Sequence, residues 1–195
     1  MKTYTIIDFE TTGLDYEKDQ VIEIAAVKID ENFKEIGRFH TMVRLNEGNE
    51  LPEFIKELTG IKEDDLIAGM DEQQALSTLS MFIDDSTIIA QNAPFDLSFM
   101  SRSNLPESSS FICTRALTKL VEPNENPSLK PTCERHGIKL EGHHRGMNDV
   151  LATIEVFKLM KNKADELGIE YRNVVIDSPE RPLRFIPKNA KVIKL

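Results

Sequence analysis

The chain has 195 residues, which suits one domain or one domain with a short appendage. Hydrophobic residues make up 40% of it, and no apolar run approaches the ~20 residues that a transmembrane helix needs, so such a helix is excluded. The net charge of −9 argues against tight metal-free binding to long nucleic-acid duplexes, because Lys and Arg normally make the phosphate contacts.

Three strands are predicted near the N-terminus, because three apolar, β-branched runs are separated by turn-forming residues. The runs cover residues 3–9, 21–29 and 39–45, and segments 13–20 and 30–37 lie between them. This order predicts a three-stranded antiparallel meander.

Helices and short strands alternate after the meander. Helical spacing of apolar residues, or a proline in a first turn, predicts helices at 53–58, 73–83, 94–102, 117–121, 129–136 and 146–163. In the last of these helices, the residues predicted to face inward are Leu151, Ile154, Phe157 and Met160. Short apolar segments predict strands at 87–90 and 111–113. The whole order is typical of a mixed α/β sheet flanked by helices.

The segment after Gly168 differs from the rest in charge. Residues 172–195 hold six basic and two acidic residues, a net charge of +4, so the remainder carries −13. Short strand-like pieces at 174–176, 183–186 and 191–193 alternate with prolines and are too apolar for a disordered tail. We therefore predict a main domain at residues 1–168 and a basic extension at 169–195 that packs on the domain or binds a partner.

Two acidic residues lie at the end of the first predicted strand. Side chains alternate along a strand, so Asp8 and Glu10 point to one face, ~7 Å apart, while Ile7 and Phe9 point into the core. Neighbouring buried carboxylates repel each other unless a cation lies between them, and Mg²⁺ prefers oxygen ligands. A solvent-exposed strand end explains the pair equally well, so both interpretations stay open for this segment alone.

Two more carboxylates and a histidine lie at predicted helix starts. Asp96 follows Pro94 by two residues, and Asp149 lies in the first turn of the longest helix, where the helix dipole alone favours a carboxylate. His144 lies in the loop before that helix, where a surface histidine is the ordinary explanation. Beside a metal-bound water, however, a histidine acts as a general base near neutral pH. One metal site explains every segment at once, which makes a metal-dependent nuclease the working hypothesis.

Three motifs, in this order, resemble the exonuclease motifs of the DEDDh 3′→5′ exonucleases. They are residues 8–14 (DFETTGL), 92–96 (NAPFD) and 144–149 (HRGMND), and the resemblance spans roughly residues 4–162. It also takes in residues 58–61 (LTGI), Cys113-Thr114, Ser128-Leu129 and residues 136–138 (HGI). That family includes the proofreading epsilon subunit of bacterial DNA polymerase III, RNase T and oligoribonuclease.

The resemblance implies a ribonuclease-H-like fold and a set of roles for individual residues. Two Mg²⁺ or Mn²⁺ ions would be held by Asp8, Glu10, Asp96 and Asp149, and His144 would accept the proton of the attacking water. The product would be a nucleoside 5′-monophosphate released from a 3′ end. The residues implied in binding the terminal nucleotide are Thr11, Thr12, Gly13, Leu14, Asn92 and Phe99.

The chain departs from the family pattern at several positions, none of them a metal ligand. Gln91 stands where many members have His, and Thr59 stands where the epsilon subunit has a substrate-contacting His. Gly146 and Asn148 replace commoner residues of the third motif. These departures bear on substrate preference.

Three functions follow from the motifs and their surroundings. The resemblance to the proofreading branch favours an exonuclease on single-stranded DNA ends, free or bound to a DNA polymerase through the C-terminal segment. An exoribonuclease like RNase T or oligoribonuclease is the alternative within the same chemistry. A non-catalytic module that binds nucleic acid or a polymerase is the alternative from another class.

The two cysteines predict no metal site. Cys113 and Cys133 lack the spacing of a zinc finger and lie in segments with core-like composition. We expect reduced thiols in a cytoplasmic protein, without a signal peptide or a membrane contact.

Overall fold

The computed structural model describes residues 2–102 and 110–195. Met1 and residues 103–109, which belong to the predicted domain at 1–168, lie outside the described residues. No described helix is both long enough and apolar enough to cross a membrane.

A five-stranded mixed sheet forms the centre of the fold, and it confirms the predicted α/β class. The strands are β1 (Thr3–Thr11), β2 (Val21–Asp30), β3 (Glu35–Met42), β4 (Thr87–Ala90) and β5 (Phe111–Cys113). Their order is β3-β2-β1-β4-β5. Antiparallel pairs join β1 to β2 and β2 to β3, while β4 and β5 run parallel to β1. The carboxyl ends of β1, β4 and β5 therefore share one edge, where ligands of α/β sheets usually bind.

Seven helices lie along the described chain. They are α1 (Glu53–Thr59), α2 (Glu63–Leu66), α3 (Glu72–Ile83), α4 (Ala93–Met100), α5 (Thr114–Val121), α6 (Leu129–His136) and α7 (Gly146–Leu167). One core layer packs α3 and α4 against the face of β1 that carries Ile7 and Phe9. The opposite layer packs α6 and α7 against the face that carries Tyr4 and Ile6. Both faces of the sheet are thus covered, as in other α/β domains.

Glu122, which follows α5, ties three helices together. Its carboxylate accepts hydrogen bonds from Arg135 Nη2 of α6 at 2.7 Å and from Lys163 Nζ of α7 at 2.8 Å, and His136 Nε2 lies 2.9 Å away. Burial would raise the pKa of Glu122, but hydrogen bonds from Lys163, Arg135 and His136 outweigh it and lower this pKa to about 2. We call these four residues the Glu122 cluster.

Sequence predictions about several elements were wrong. Strand β3 begins at Glu35 and not at residue 39, because an edge strand tolerates charged residues such as Arg38 on its solvent side. The one-turn helix α2 was missed, since four residues show no apolar period. Leu151 of α7 is 39% exposed and does not face inward as Ile154, Phe157 and Met160 do.

The segment after Gly168 lies against the carboxyl end of the sheet. Strands β6 (Val174–Asp177) and β7 (Lys191–Lys194) form a parallel pair, and Val175 belongs to the core layer of α3 and α4. Asn173 connects this pair to β5 through hydrogen bonds with the backbone of Phe111. The predicted strand at 183–186 does not form, because Pro182 and Pro187 flank it and lack N–H donors.

Candidate active site

The carboxyl end of β1 positions the first two candidate residues as predicted. Ile7 and Phe9 enter the core, whereas Asp8 and Glu10 continue the face of Tyr4 and Ile6 toward α7. Glu10 is 8% exposed and Asp8 is half-buried. The strand therefore holds both carboxylates rigidly at the edge of the sheet.

Two helix N-termini bring the other carboxylates to the same place. Asp96 lies in the first turn of α4, which follows β4, and Asp149 lies in the first turn of α7. One carboxylate oxygen each of Asp8, Glu10 and Asp149 lie within 4.8 Å of one another. Asp96 is near enough for its charge to act on Asp8 and Glu10. We call Asp8, Glu10, Asp96 and Asp149 the acidic cluster.

The start of α7 approaches the sheet so closely that a side chain there would be crowded. A Cβ added at Gly146 would lie 3.1 Å from the Cβ of Ala25 and 3.7 Å from the carbonyl oxygen of Asp8. This departure from the family pattern thus lets the first turn of α7 rest directly on β1 and β2 and places Asp149 beside Asp8.

Glu23 is a fifth carboxylate that the sequence reasoning missed. It lies opposite Glu10 on β2 and is 1% exposed. It accepts hydrogen bonds from the backbone N–H of Gly146 at 3.3 Å, and His40 Nε2 lies 2.7 Å from it. The available signal was a Glu in the apolar run at 21–29, which only the register with Glu10 makes significant.

Crowding of these carboxylates opposes their ionisation. Burial, followed by the charges of Asp149, Glu23 and Asp96, raises the pKa of Glu10 to about 8. Burial raises the pKa of Asp96 to about 8 as well, although Arg181 acts in the opposite direction. The pKa of Asp8 is also well above its ordinary value, through burial and then the charges of Asp96, Asp149 and Glu10.

The donor set fits divalent cations. Each member of the acidic cluster supplies hard oxygen ligands, and such ligands suit Mg²⁺ and Mn²⁺. A cation between Asp8, Glu10 and Asp149 would relieve the repulsion that contributes to the raised pKa values of Asp8 and Glu10. His143, His144 and Asp149 form a second group whose ligand atoms lie within 4.8 Å of one another.

Two adjacent histidines border the acidic cluster. His143 Nδ1 lies 2.9 and 3.1 Å from the carboxylate oxygens of Asp149, while the backbone N–H of His144 donates to Asp149 at 3.1 Å. Their rings stack with centroids 3.9 Å apart, and His144 adopts the left-handed φ of 66°. Burial, and then His143, lower the pKa of His144. The sequence argument considered His144 alone, so His143 is an addition from the structure.

A cleft of about 510 Å³ contains the acidic cluster and most of the predicted nucleotide-binding residues. Thr11, Gly13, Leu14 and Asn92 line it together with both histidines. The side chain of Thr12 instead donates to Asp19 and accepts from the backbone of Gln20, which supports the turn after β1.

The placement of Phe99 corrects the sequence prediction. Phe99 is fully buried in the core and lies one helical turn further along α4 than Phe95, which lines the cleft in its place. Two exposed apolar residues of α1, Phe54 and Leu58, also line the cleft and were not predicted.

Gln91 and Thr59, two of the departures from the family pattern, have structural partners. Gln91 accepts a short hydrogen bond from Thr114 and donates to the carbonyl of Pro127, at the wall of the cleft. Thr59 is buried and hydrogen-bonds the backbone of Ile55 and Ile61.

The sequence is similar to a family of nucleases and to bacterial DNA polymerases. Residues 5–157 match the family model described as exonuclease, of the RNase T type. The chain is 32% identical over 172 residues to the PolC-type DNA polymerase III of Thermotoga maritima, and this alignment covers 86% of the chain. It spans only 12% of the length of that polymerase.

Solved structures agree on the fold. Escherichia coli exonuclease I in complex with a dT13 oligonucleotide superposes with a TM-score of 0.76 at 20% identity, over 86% of this chain and 43% of that one. The nuclease domain of 3′hExo, a DEDDh family member bound to rAMP, superposes with a TM-score of 0.71 at 19% identity, over 87% of this chain and 96% of that one. These likenesses confirm the predicted ribonuclease-H-like fold, and the sequence match shows that the chain belongs to the exonuclease family.

Proposed function

We propose that this chain hydrolyses phosphodiester bonds at the 3′ ends of single-stranded DNA and releases nucleoside 5′-monophosphates. The observation that carries the proposal is the acidic cluster. Four carboxylates from three separate segments converge at the floor of one cleft, beside two histidines. A binding module has no use for carboxylates whose charges oppose one another, whereas phosphodiester hydrolysis with divalent metals requires them.

The acidic cluster would hold two divalent cations, Mg²⁺ or Mn²⁺, through the carboxylates of Asp8, Glu10, Asp96 and Asp149. Bound cations would supply charge stabilisation for the scissile phosphate and would lower the pKa of the attacking water. The rigid backbone of β1 and the first turns of α4 and α7 fix the carboxylates before substrate arrives.

His144 accepts the proton of the attacking water in this proposal. Because its pKa is lowered, its imidazole is neutral near pH 7 and has a free nitrogen to receive the proton. His143 then positions Asp149 through its Nδ1 contact. The ring stack of the two histidines limits the motion of both.

The terminal nucleotide would bind between the turn after β1 and helix α1. Gly13 keeps this turn narrow, because a Cβ there would lie 2.4 Å from the Asp19 carboxylate. Exposed apolar side chains of Leu14, Phe54 and Leu58 offer surfaces against which an unpaired base or its sugar can pack. An unpaired strand fits this arrangement better than a duplex, whose bases are already stacked.

DNA is favoured because the polymerase relative and the dT13 complex of exonuclease I both concern DNA. The same relative supports, as part of this proposal, a proofreading role beside a DNA polymerase. The rAMP bound to 3′hExo supports the second candidate, an exoribonuclease.

The decisive experiment compares 5′-labelled single-stranded DNA and RNA of one sequence, incubated with the protein in Mg²⁺, Mn²⁺ or EDTA. We expect a metal-dependent ladder that shortens from the 3′ end, faster on DNA and absent with Asp8→Ala. A faster RNA ladder would establish the exoribonuclease. If the protein binds the strands but cleaves neither of them, it is a non-catalytic module.

A further inference from the structure

Two arginines line the cleft without a carboxylate partner. Arg115 is the second residue of α5, the helix that directly follows β5. Its backbone N–H donates to the carbonyl of Gln91, and its Nη1 donates to Ser128 Oγ at 3.2 Å. Arg181 is exposed and lies between β6 and β7. Among the described residues, arginine ion pairs within 4.0 Å involve only Arg38, Arg44, Arg102, Arg135 and Arg145.

The two guanidinium groups face the same space. Both line the cleft of the acidic cluster, and both line an adjoining cavity of about 260 Å³ between α4 and the C-terminal segment. Burial and then the nearby charge of Arg181 lower the pKa of Arg115, and Glu180 only partly offsets this. Two cations that share a space repel each other unless an anion lies between them.

The cleft therefore has an acidic pole and a basic pole. Asp8, Glu10 and Asp149 form the first, and Arg115 with Arg181 form the second. Planar guanidinium groups bind phosphate oxygens in a bidentate manner, so the basic pole suits a phosphate.

The position of that phosphate follows from the chemistry of a 3′ end. The 3′-terminal nucleotide carries one phosphate, the scissile one, and the proposed cations at the acidic cluster bind it. Every other phosphate of the strand lies on the 5′ side. We propose that Arg115 and Arg181 bind the internucleotide phosphate that precedes the scissile one, so that the C-terminal segment forms the second wall of the substrate cleft. This inference rests on the proposed function.

A binding experiment on the full chain tests the site without requiring turnover. Ca²⁺ replaces Mg²⁺, and the anisotropy of a 5′-fluorescein (dT)8 strand reports affinity at several salt concentrations. We expect Arg181→Ala to weaken binding about 10-fold, the usual effect of losing one charge-assisted hydrogen-bonding group. The slope of log affinity against log salt should fall by about 0.7, the share of one phosphate contact in single strands.

Two further variants test whether the effect comes from the charge at Arg181, from the planar shape of its guanidinium group, or from any positive charge of the C-terminal segment. Arg181→Lys should keep the salt slope but lose part of the affinity, because an ammonium lacks the planar fork. Arg172→Ala removes the same charge from the same segment at an exposed position away from the cleft, so it should bind like the wild type.

Hydrolysis of the p-nitrophenyl ester of thymidine 5′-monophosphate, which contains one phosphate, completes the test. We expect Arg181→Ala to raise KM for (dT)8 about 10-fold more than KM for this ester, because the ester lacks the preceding phosphate. Equal loss on both substrates would place Arg181 on the scissile phosphate and overturn the inference, as would unchanged binding of (dT)8. If binding of (dT)8 depends on Arg181 but the wild type hydrolyses neither substrate, the phosphate site is supported and the proposed function is refuted.

Discussion

The acidic cluster and the Glu122 cluster are both built around carboxylates held among helices, yet they have opposite electrostatics. Glu122 faces Lys163, Arg135 and His136, and its pKa falls to about 2. Glu10 faces Asp149, Glu23 and Asp96, and its pKa rises to about 8. A carboxylate surrounded by cations stabilises the fold, whereas one surrounded by carboxylates destabilises it and needs a ligand to compensate. This difference supports the proposal that the acidic cluster is the reaction centre.

The largest expected effect comes from removing the central charge of the acidic cluster. We expect Asp8→Asn to reduce cleavage of single-stranded DNA by about 10³-fold or more, because metal binding contributes several kcal/mol to transition-state stabilisation. In EDTA the variant should melt at a higher temperature than the wild type, since one repelling charge is gone. Cleavage assays and thermal melts with and without Mg²⁺ measure both effects.

Asp85→Asn is the matched control for that variant, because Asp85 is exposed and distant from the cleft. It should leave both the cleavage rate and the metal response unchanged. Full activity of Asp8→Asn would show that the acidic cluster is not the reaction centre.

The next largest effect concerns proton transfer beside the acidic cluster. His144→Ala should lower turnover by about 10²–10⁴-fold, the usual range for loss of a general base, while Mg²⁺ still raises the melting temperature. His143→Ala is the comparison, and it should reduce activity less, since its ring contacts Asp149. The reverse order of the two losses would assign the base to His143.

The two clusters should respond to pH in opposite directions when metal is absent. The folded pKa values of Glu10 and Asp96, about 8, exceed their ordinary values of 4.5 and 3.8, so the stability of the protein in EDTA should fall as pH rises through this interval. The folded pKa of Glu122, about 2, lies below its ordinary value of 4.5, so its contribution is lost as pH falls from about 4.5 toward 2.

Thermal melts in EDTA from pH 3 to pH 9 test this directly. The melting temperature should be highest near pH 4–5 and should decline on both sides, and Glu10→Gln should flatten the alkaline decline. Saturating Mg²⁺, at about 100 times its Kd, should add about 2.7 kcal/mol for each bound cation and shift the optimum upward. A melting temperature in EDTA that stays constant between pH 5 and pH 9 would contradict the repulsion among the carboxylates of the acidic cluster.

The smallest effect should come from the Glu122 cluster, and only on stability. Glu122→Gln leaves Arg135 and Lys163 without their shared anion and should cost about 2 kcal/mol, or about 4–8 °C in melting temperature. Activity at 25 °C should stay within twofold of the wild type. Glu125→Gln, whose carboxylate is half-exposed and 4.0 Å from Arg135, should cost less than about 0.5 kcal/mol.

Local patterns predicted most of the fold and the first members of the site. Alternation along β1 placed Asp8 and Glu10 on one face, and Pro94 marked the helix that carries Asp96. Their proximity to Asp149 came from the family resemblance, because no local pattern shows how α7 meets the sheet.

The features that escaped prediction depend on register and tertiary contact. Glu23 matters because it faces Glu10 across two strands. Arg181 matters because β6 packs beside β5 and turns its following loop toward the cleft. Phe99 was assigned to the cleft by the family resemblance, but it lies one turn deeper along α4 than Phe95, a depth that the sequence alone does not show.

The acidic cluster draws on the first strand and the last helix of the domain, and this has a consequence during protein synthesis. A ribosome-bound chain that ends before residue 146 contains Asp8, Glu10 and Asp96 but lacks Asp149 and the helix that covers them. With the proposed function, such a nascent chain cannot cut the nucleic acids around it. Under this proposal, nuclease activity would begin only when α7 has left the exit tunnel and packed against β1 and β2, so the order of translation would protect the cell from a partly made enzyme.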